Sequence, residues 1–422
     1  MDVWRSLRVS VFGLGKLGLP LATCLATKFE VIAVDVDRDK TASIDSGFSP
    51  IKEPKLQDLL DNMVFRNRIQ ATNDGEYAVL QSDVTFIVVP TPSNPDGSFS
   101  SKHVEEACAT IGSALKNKAT FHVVVVVSTV IPFTCERVLK TLLEITSEKK
   151  CGVDFGLCYN PFLIALGSVI DNILNPDFVM IGESDTKSGE IVESIHKSIC
   201  KSDTKIMRTS LINAEIAKIA LNSYITMKIS FANTLGQICE KIPTADVDVV
   251  SEILGSDSRI GHKYLKAGLG YGGPCFPRDN RAFKYFASSL ACQSLLPEAT
   301  DAVNDSQVDR VWFKVRKLVP FNATVAVLGL AYKPNTDNIE ESQGVKIVQS
   351  LARFNRVKVY DPKAMSNARK VLGALVQYTK SAKDCVKDAD LVIIATPWKQ
   401  FENLNCSCPV IDCWRIVKHE HV

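Results

Sequence analysis

The sequence predicts an α/β protein with two doubly wound domains, joined by a long central helix and a helical region. Three features carry this reading. Strand-like and helix-like segments alternate through the first half of the chain. The last hundred residues repeat the same grammar. Between them, Ser210–Ile242 runs without proline, and without glycine until Gly236, so it reads as one helix.

Taken in order, Arg8–Phe12 reads as a strand, Gly13–Gly18 as a turn, and the apolar stretch to about Thr27 as a helix. Glu30–Val34 is the next strand and ends at Asp35. Val84–Val89 ends at Pro90-Thr91-Pro92, and Val123–Val127 ends at Ser128-Thr129. In the last part, Thr324–Leu328 ends in Gly329, Arg356–Tyr360 in Asp361 and Leu391–Ala395 in Thr396-Pro397. The order strand–Gly, strand–Asp, strand–Thr-Pro therefore occurs twice. Duplication and the general habits of α/β chains both account for it. The implied division is 1–205, 206–315 and 316–422, the middle part holding the helices.

Composition excludes several classes of function. With 49 Lys and Arg against 47 Asp and Glu, spread along 422 residues, the chain offers no broad attraction for nucleic acid or anionic membrane. No apolar run approaches a membrane span. The start, MDVWRSLRVSVFGLGKLG, passes straight into a glycine-rich turn and does not read as a leader, so the expected setting is cytoplasmic. The 13 cysteines form no CxxC pair and there is no HExxH, so most are expected to be reduced core residues and no metal site is expected.

The chemistry-bearing motifs begin with Gly13-Leu14-Gly15-Lys16-Leu17-Gly18. It is a GxGxxG turn placed after a strand and before a helix. Gly13 allows the tight turn, Gly15 lets the backbone approach a pyrophosphate, and Gly18 lets helix and strand pack. Lys16 and Leu17 complete this cofactor-binding turn, and the helix N-terminus offers unpaired N–H groups to phosphate. Asp35, at the end of the second strand, is placed to accept ribose hydroxyls and to repel a 2′-phosphate. The implied cofactor is NAD rather than NADP, held by a Rossmann domain. Thr91, Ser128 and Thr129 lie at strand ends that form the ligand crevice of such a sheet. Each hydroxyl serves equally well as a turn or cap.

A second motif is Gly268-Leu-Gly270-Tyr-Gly272-Gly273-Pro274-Cys275-Phe-Pro-Arg278-Asp279. Its glycines permit close backbone approach to a ligand. Cys275 precedes an expected helix start, where a thiolate is favoured, and Asp279 falls in the first turn. On the long helix, Glu215, Lys218, Asn222 and Asn233 recur near one face, which suits either a ligand-facing set or a solvated stripe. Together the parts suit an oxidation through a covalent thiol adduct, with Lys and Asn groups steadying an oxyanion.

These motifs resemble the UDP-glucose/GDP-mannose dehydrogenase family of nucleotide-sugar 6-dehydrogenases. The likeness spans nearly the whole chain: GLGKLGLPLA, VPTP, STV at 128–130, NPDFVMIGE, AEIAKIALNSY, KISFAN, RIG at 259–261, GYGGPCFPRD and VLGLAYKPNTD, in the family's order. The resemblance implies oxidation of a sugar 6-hydroxyl to a carboxylate with two NAD, a UDP-sugar ranking first. It assigns Cys275 to a thiohemiacetal and then a thioester. It assigns Lys218 and Asn222 to the oxyanion and water, Asp279 to the cysteine's acidic partner, and Thr129 to the strand-end threonine. Arg259 and the loop from Tyr264 and Leu265 through Gly272 to Gly273 match its substrate segment, and Lys333 its C-terminal lysine near the sugar nucleotide. The helix Ser210–Ile242 is expected to build a homodimer.

The sequence also departs from the family. Phe162 stands where the family has a glutamate after Asn-Pro, and no acid occurs between Asn160 and Val169. Phenylalanine moves no proton, and general acid–base catalysis is typically worth ~10²–10⁴-fold, so thioester hydrolysis is the step exposed to this change. Glu340 stands where the family often has arginine, and Phe133 follows Pro132 where a glycine is common. The alternatives are an impaired homologue that stalls at the thioester, a binding-only protein, and a 3-hydroxyacid-type dehydrogenase sharing the first domain.

Overall fold

The structure, a computed structural model, describes residues 7–417. The chain divides into two compact units, Met1–Ile219 and Ala220–Val422.

Among the described residues the first unit holds eight strands: β1 Arg8–Phe12, β2 Glu30–Val34, β3 Ile69–Thr72, β4 Val84–Ile87, β5 His122–Val126, β6 Phe155–Tyr159, β7 Phe178–Glu183 and β8 Lys205–Ser210. Their order is β3-β2-β1-β4-β5-β6-β7-β8. All pairs are parallel except β6 with β7. The valine run of β5 shows why the sheet forms. Val123 and Val125 enter one apolar core, with Val9, Val11, Leu25 and Ile195. Val124 and Val126 enter the other, with Phe12, Ile111, Leu115 and Leu139. A strand apolar at every position is one buried on both faces by helices.

In the second unit, β9 Thr324–Leu328, β10 Arg356–Tyr360, β11 Gln377–Tyr378, β12 Leu391–Ile394 and β13 Val410–Asp412 form a parallel sheet in the order β11-β10-β9-β12-β13. The two sheets share hydrogen bonds as well as order. Gly13 N–H donates to the Val34 carbonyl at 2.8 Å, and Gly329 N–H to that of Tyr360 at 2.9 Å. Leu14 N–H donates to Asp35 at 2.7 Å, and Leu330 N–H to Asp361 at 2.8 Å. The repeated grammar is thus a repeated turn. The second copy differs in that Asp361 also accepts Ala331 N–H and the Trp398 indole.

The long helix runs Leu211–Cys239, three residues short of the expected end. Lys241 and Ile242 donate to carbonyls three residues back, and Pro243 follows, so the last turn tightens and stops. The second unit continues with helices Val247–Ser256, Phe276–Ser289 and Leu295–Leu318. Arg415 ties this region to the chain's final segment through Asp248 at 2.7 Å and the Ala267 carbonyl at 2.7 Å. Among the described residues no helix is long and apolar enough to cross a membrane.

Candidate active site

The order of the first sheet reverses at β1, so a crevice opens between the ends of β1 and β4. The glycine turn sits there. Gly13 has φ +91°, and a Cβ on it would lie 2.7 Å from the Val88 carbonyl oxygen. A Cβ on Gly18 would collide with the Gly13 carbonyl, whereas one on Gly15 would meet nothing within 4 Å. Two glycines are therefore required by packing, and the third leaves open space over the backbone. Gly18 begins the helix Gly18–Ala26, with Leu17 as its N-cap and Lys16 exposed beside it.

Asp35 is buried. Its carboxylate accepts from Leu14 N–H at 2.7 Å, the Lys40 ammonium at 2.9 Å and Asp37 N–H at 3.1 Å. Burial opposes the charge, but these bonds outweigh it and hold the carboxyl below its usual range. A carboxylate accepts about four hydrogen bonds, so a place remains for a ribose hydroxyl. The open face over Gly15, the helix N-terminus and this carboxylate fit a dinucleotide.

At the neighbouring strand ends, the Thr91 hydroxyl donates to the Thr129 carbonyl at 2.8 Å and the Ser128 hydroxyl to the Val89 carbonyl at 2.6 Å. These bonds stitch the ends of β4 and β5, the turn role that the sequence left open. The Thr129 side chain is half-buried.

In the second unit, Cys275 is the N-cap of the helix Phe276–Ser289, and Pro277 lies in its first turn. The thiol is exposed, unlike Cys24, Cys108, Cys135, Cys158 and Cys385, whose pKa values burial pushes up. Asp279 is buried one turn on; its N–H donates to the Cys275 carbonyl at 2.8 Å. The Asn222 amide donates to Asp279 at 2.7 Å, and Arg278 approaches the other oxygen at 3.5 Å. Cys275, Asp279 and Asn222 thus come together from two helices.

The glycine-rich loop before Cys275 is gripped from three segments. Asn233 accepts from Gly268 N–H at 2.8 Å and donates to the Leu269 carbonyl at 3.1 Å. Asn304 and Gln343 both donate to the Tyr271 carbonyl at 3.2 Å. Gly273 N–H donates to the Glu340 carbonyl at 2.9 Å. Gly273 has φ +83°, and a Cβ there would lie 2.5 Å from the Tyr332 ring. A Cβ on Gly272 would strike the Glu341 carbonyl.

The four polar residues of the long helix are all buried, so they form no solvated stripe. Two of them do not await a ligand either. Glu215 accepts from the N–H groups of Phe133 and Cys135, each at 2.8 Å, and Asn233 holds the loop. Lys218 is buried in the first unit.

The expected substrate segment is less concentrated. Tyr264, with φ +68°, meets the Phe276 ring edge-on at 6.2 Å. Leu265 is buried, and Lys333 lies 5.7 Å over the Tyr332 ring. Arg259 is exposed and paired locally with Asp257 at 2.6 Å. Tyr332, Asn304 and Gln343 went unread because they reach the loop from segments tens of residues away, and no local spacing marks them.

Phe162 packs on the first unit's core, with its ring 5.5 Å from that of His196. The His196 Nε2 meets Asn160 Oδ1 at 2.7 Å, and burial holds its pKa down to about 4.

The comparisons with known proteins agree along the whole chain. Three domains described for one family, the UDP-glucose/GDP-mannose dehydrogenases, match in order. They are the NAD binding domain at residues 7–200, the central domain at 212–306 and the UDP binding domain at 326–419. The chain is 35% identical to the UDP-glucose 6-dehydrogenase AglM of Haloferax volcanii, covering 94% of this chain and 93% of that protein. It is 32% identical to a GDP-mannose 6-dehydrogenase of Pseudomonas putida, covering 96% and 94%. The solved structure of a UDP-glucose dehydrogenase from Pyrobaculum islandicum superposes with a TM-score of 0.91 at 34% identity, over 99% of this chain and 96% of that one. The chain, with its NAD-binding first domain, belongs to the UDP-glucose/GDP-mannose dehydrogenase family.

Proposed function

We propose that this NAD-dependent oxidoreductase converts C6 of a nucleotide sugar, a UDP-sugar first in rank, from a hydroxymethyl group to a carboxylate. The observation that carries the reading is the exposed Cys275 at a helix N-terminus, with the Asp279–Asn222 pair beside it. A helix N-terminus favours the thiolate.

Gly13, Gly15, Lys16, Leu17, Gly18 and Asp35 hold the cofactor, with Thr91 and Ser128 at the strand ends beside it. Bound NAD supplies the hydride acceptor for both oxidations. Cys275 Sγ adds to the aldehyde carbon. The thiohemiacetal is oxidised to a thioester, and water releases the acid. Lys218 and Asn222 steady the negative oxygen, Asp279 orients Asn222, and Thr129 lines the crevice. Arg259, Tyr264, Leu265, Gly272 and Lys333 bind the sugar nucleotide; Arg259 must exchange Asp257 for phosphate.

The three-part division 1–205, 206–315 and 316–422 belongs to this reading, and so does a homodimer built on the long helix. A cytoplasmic setting goes with thiol chemistry, because reducing compartments keep cysteines reduced.

The test is NADH yield with UDP- and GDP-sugars. Two NADH per sugar, a uronic acid product, and loss of turnover in Cys275→Ala are expected. One NADH per sugar with no acid overturns the covalent route, and no NADH with any of these sugars overturns the substrate class. Phe162 favours a second reading, a stall at the thioester, which would show as an NADH burst on the scale of the enzyme concentration.

A further inference from the structure

Hydrolysis of a thioester requires a group that takes a proton from the attacking water. Residues 160–168 contain no acid, and Phe162, half-buried, packs against the apolar core. The carboxylates around the Cys275 loop differ in their availability. Asp279 is buried and held by Asn222 and Arg278. Glu341 is paired on both oxygens, with Arg281 at 2.9 Å and Lys346 at 2.6 Å. Asp301 accepts the Tyr271 hydroxyl at 2.5 Å. Glu340 alone among these four is exposed with a carboxylate that makes no hydrogen bond or ion pair within the described residues.

Glu340 is also fixed to the loop. Its carbonyl accepts Gly273 N–H at 2.9 Å, two residues before Cys275, and its own N–H donates to Asn338 Oδ1 at 2.8 Å. Tyr332 packs against the same glycine, and its N–H donates to the Asn338 carbonyl at 3.1 Å. The segment 332–341 therefore walls the turn that delivers the thiol. Burial first, and then the proximity of Cys275 and Glu340, push the Tyr332 hydroxyl pKa up to about 12.

We propose that Glu340 is the general base for hydrolysis of an acyl group carried on Cys275, supplying the carboxylate that the 160–168 segment lacks. The proposal rests on the covalent reading of Cys275. The water oxygen bonds to the thioester carbonyl carbon while its proton passes to the Glu340 carboxylate. The C–S bond then breaks, the Cys275 thiolate leaves, and Glu340 returns its proton to the sulfur or to solvent. Thioester and water give carboxylic acid and thiol, with no change of oxidation state.

The test separates this step from the oxidation. Wild type, Glu340→Gln and Glu340→Asp are mixed with p-nitrophenyl acetate, which acylates a reactive thiol without sugar or NAD. Glu340→Gln is expected to keep the p-nitrophenolate burst of one per Cys275. Deacylation then slows about 10²-fold, its acid limb disappears from the pH profile, and acetylated Cys275 appears in the intact mass. Glu340→Asp recovers part of the rate. With NAD and a UDP-sugar, Glu340→Gln gives an NADH burst, a stall and a sugar-mass adduct. Equal deacylation in wild type and Glu340→Gln overturns the proposal, as does loss of the burst itself in Glu340→Gln. Failure of the dehydrogenase reading shows separately, as a wild type that deacylates through Glu340 and forms no NADH.

Discussion

His122 and His196 are buried in the first unit, one against Thr85 and Ser82, the other against Asn160. Burial lowers their pKa values to about 3 and about 4. The unfolded chain binds a proton on each near histidine's ordinary value of 6.5, and the folded chain does not. Their contribution to stability is therefore complete above that value and declines as pH falls from 6.5 towards 4 and 3. The decline is about 1.4 kcal/mol per pH unit for each histidine. Denaturant titrations at pH 7 and pH 5 should show it, and His196→Gln should reduce the slope by about half; an unchanged slope would exclude His196 as a source. At this scale the three glycines of the first turn were legible, because their spacing states which must be tight. Glu215 and Asn233 were not. Their position on a helix is visible in sequence, but the backbone N–H groups that they accept come from elsewhere in the chain.

Two elements each turn on a single residue. Lys118 is buried, and its ammonium donates to the carbonyls of Val79 at 2.9 Å, Leu80 at 3.1 Å and Ser82, closing the helix Gly75–Gln81. Lys118→Met leaves these acceptors without their partner and should lower unfolding free energy by about 3 kcal/mol in denaturant melts. The loop before Cys275 depends on Gly273. Gly273→Ala demands a strained positive φ and displaces the Tyr332 ring, so turnover should fall at least about tenfold while NAD affinity stays unchanged, as measured by calorimetry. The legible strands, β1, β2, β4, β5, β9, β10 and β12, are those that run into a Gly, Asp or Ser/Thr turn. The unread ones are two to six residues long, and the polar alternation of β8, KIMRTS, suits a sheet edge as well as a loop.

Across the molecule, the long helix exposes Tyr224, Phe231 and Ile238 at 60%, 53% and 51%. Seven residues are nearly two turns, so these side chains share a stripe. In the proposed homodimer a second copy would bury this stripe, and Phe231→Asp should convert that dimer to monomer in sedimentation at micromolar concentration; an unchanged mass would remove this helix from the interface. Sequence reveals two sheets because each repeats strand–Gly, strand–Asp, strand–Thr-Pro. It conceals the antiparallel pairing of β6 with β7, since strand direction is set by the length and path of the connection.

The eight strands of the first sheet all lie within residues 8–210, with none borrowed from later in the chain. During synthesis at ~5–20 residues per second, that sheet can close while the second unit is still being translated. The nascent chain can thus complete its cofactor turn roughly 3 to 13 seconds before Cys275 emerges from the ribosome. A cofactor present during translation meets a finished binding site on an unfinished protein.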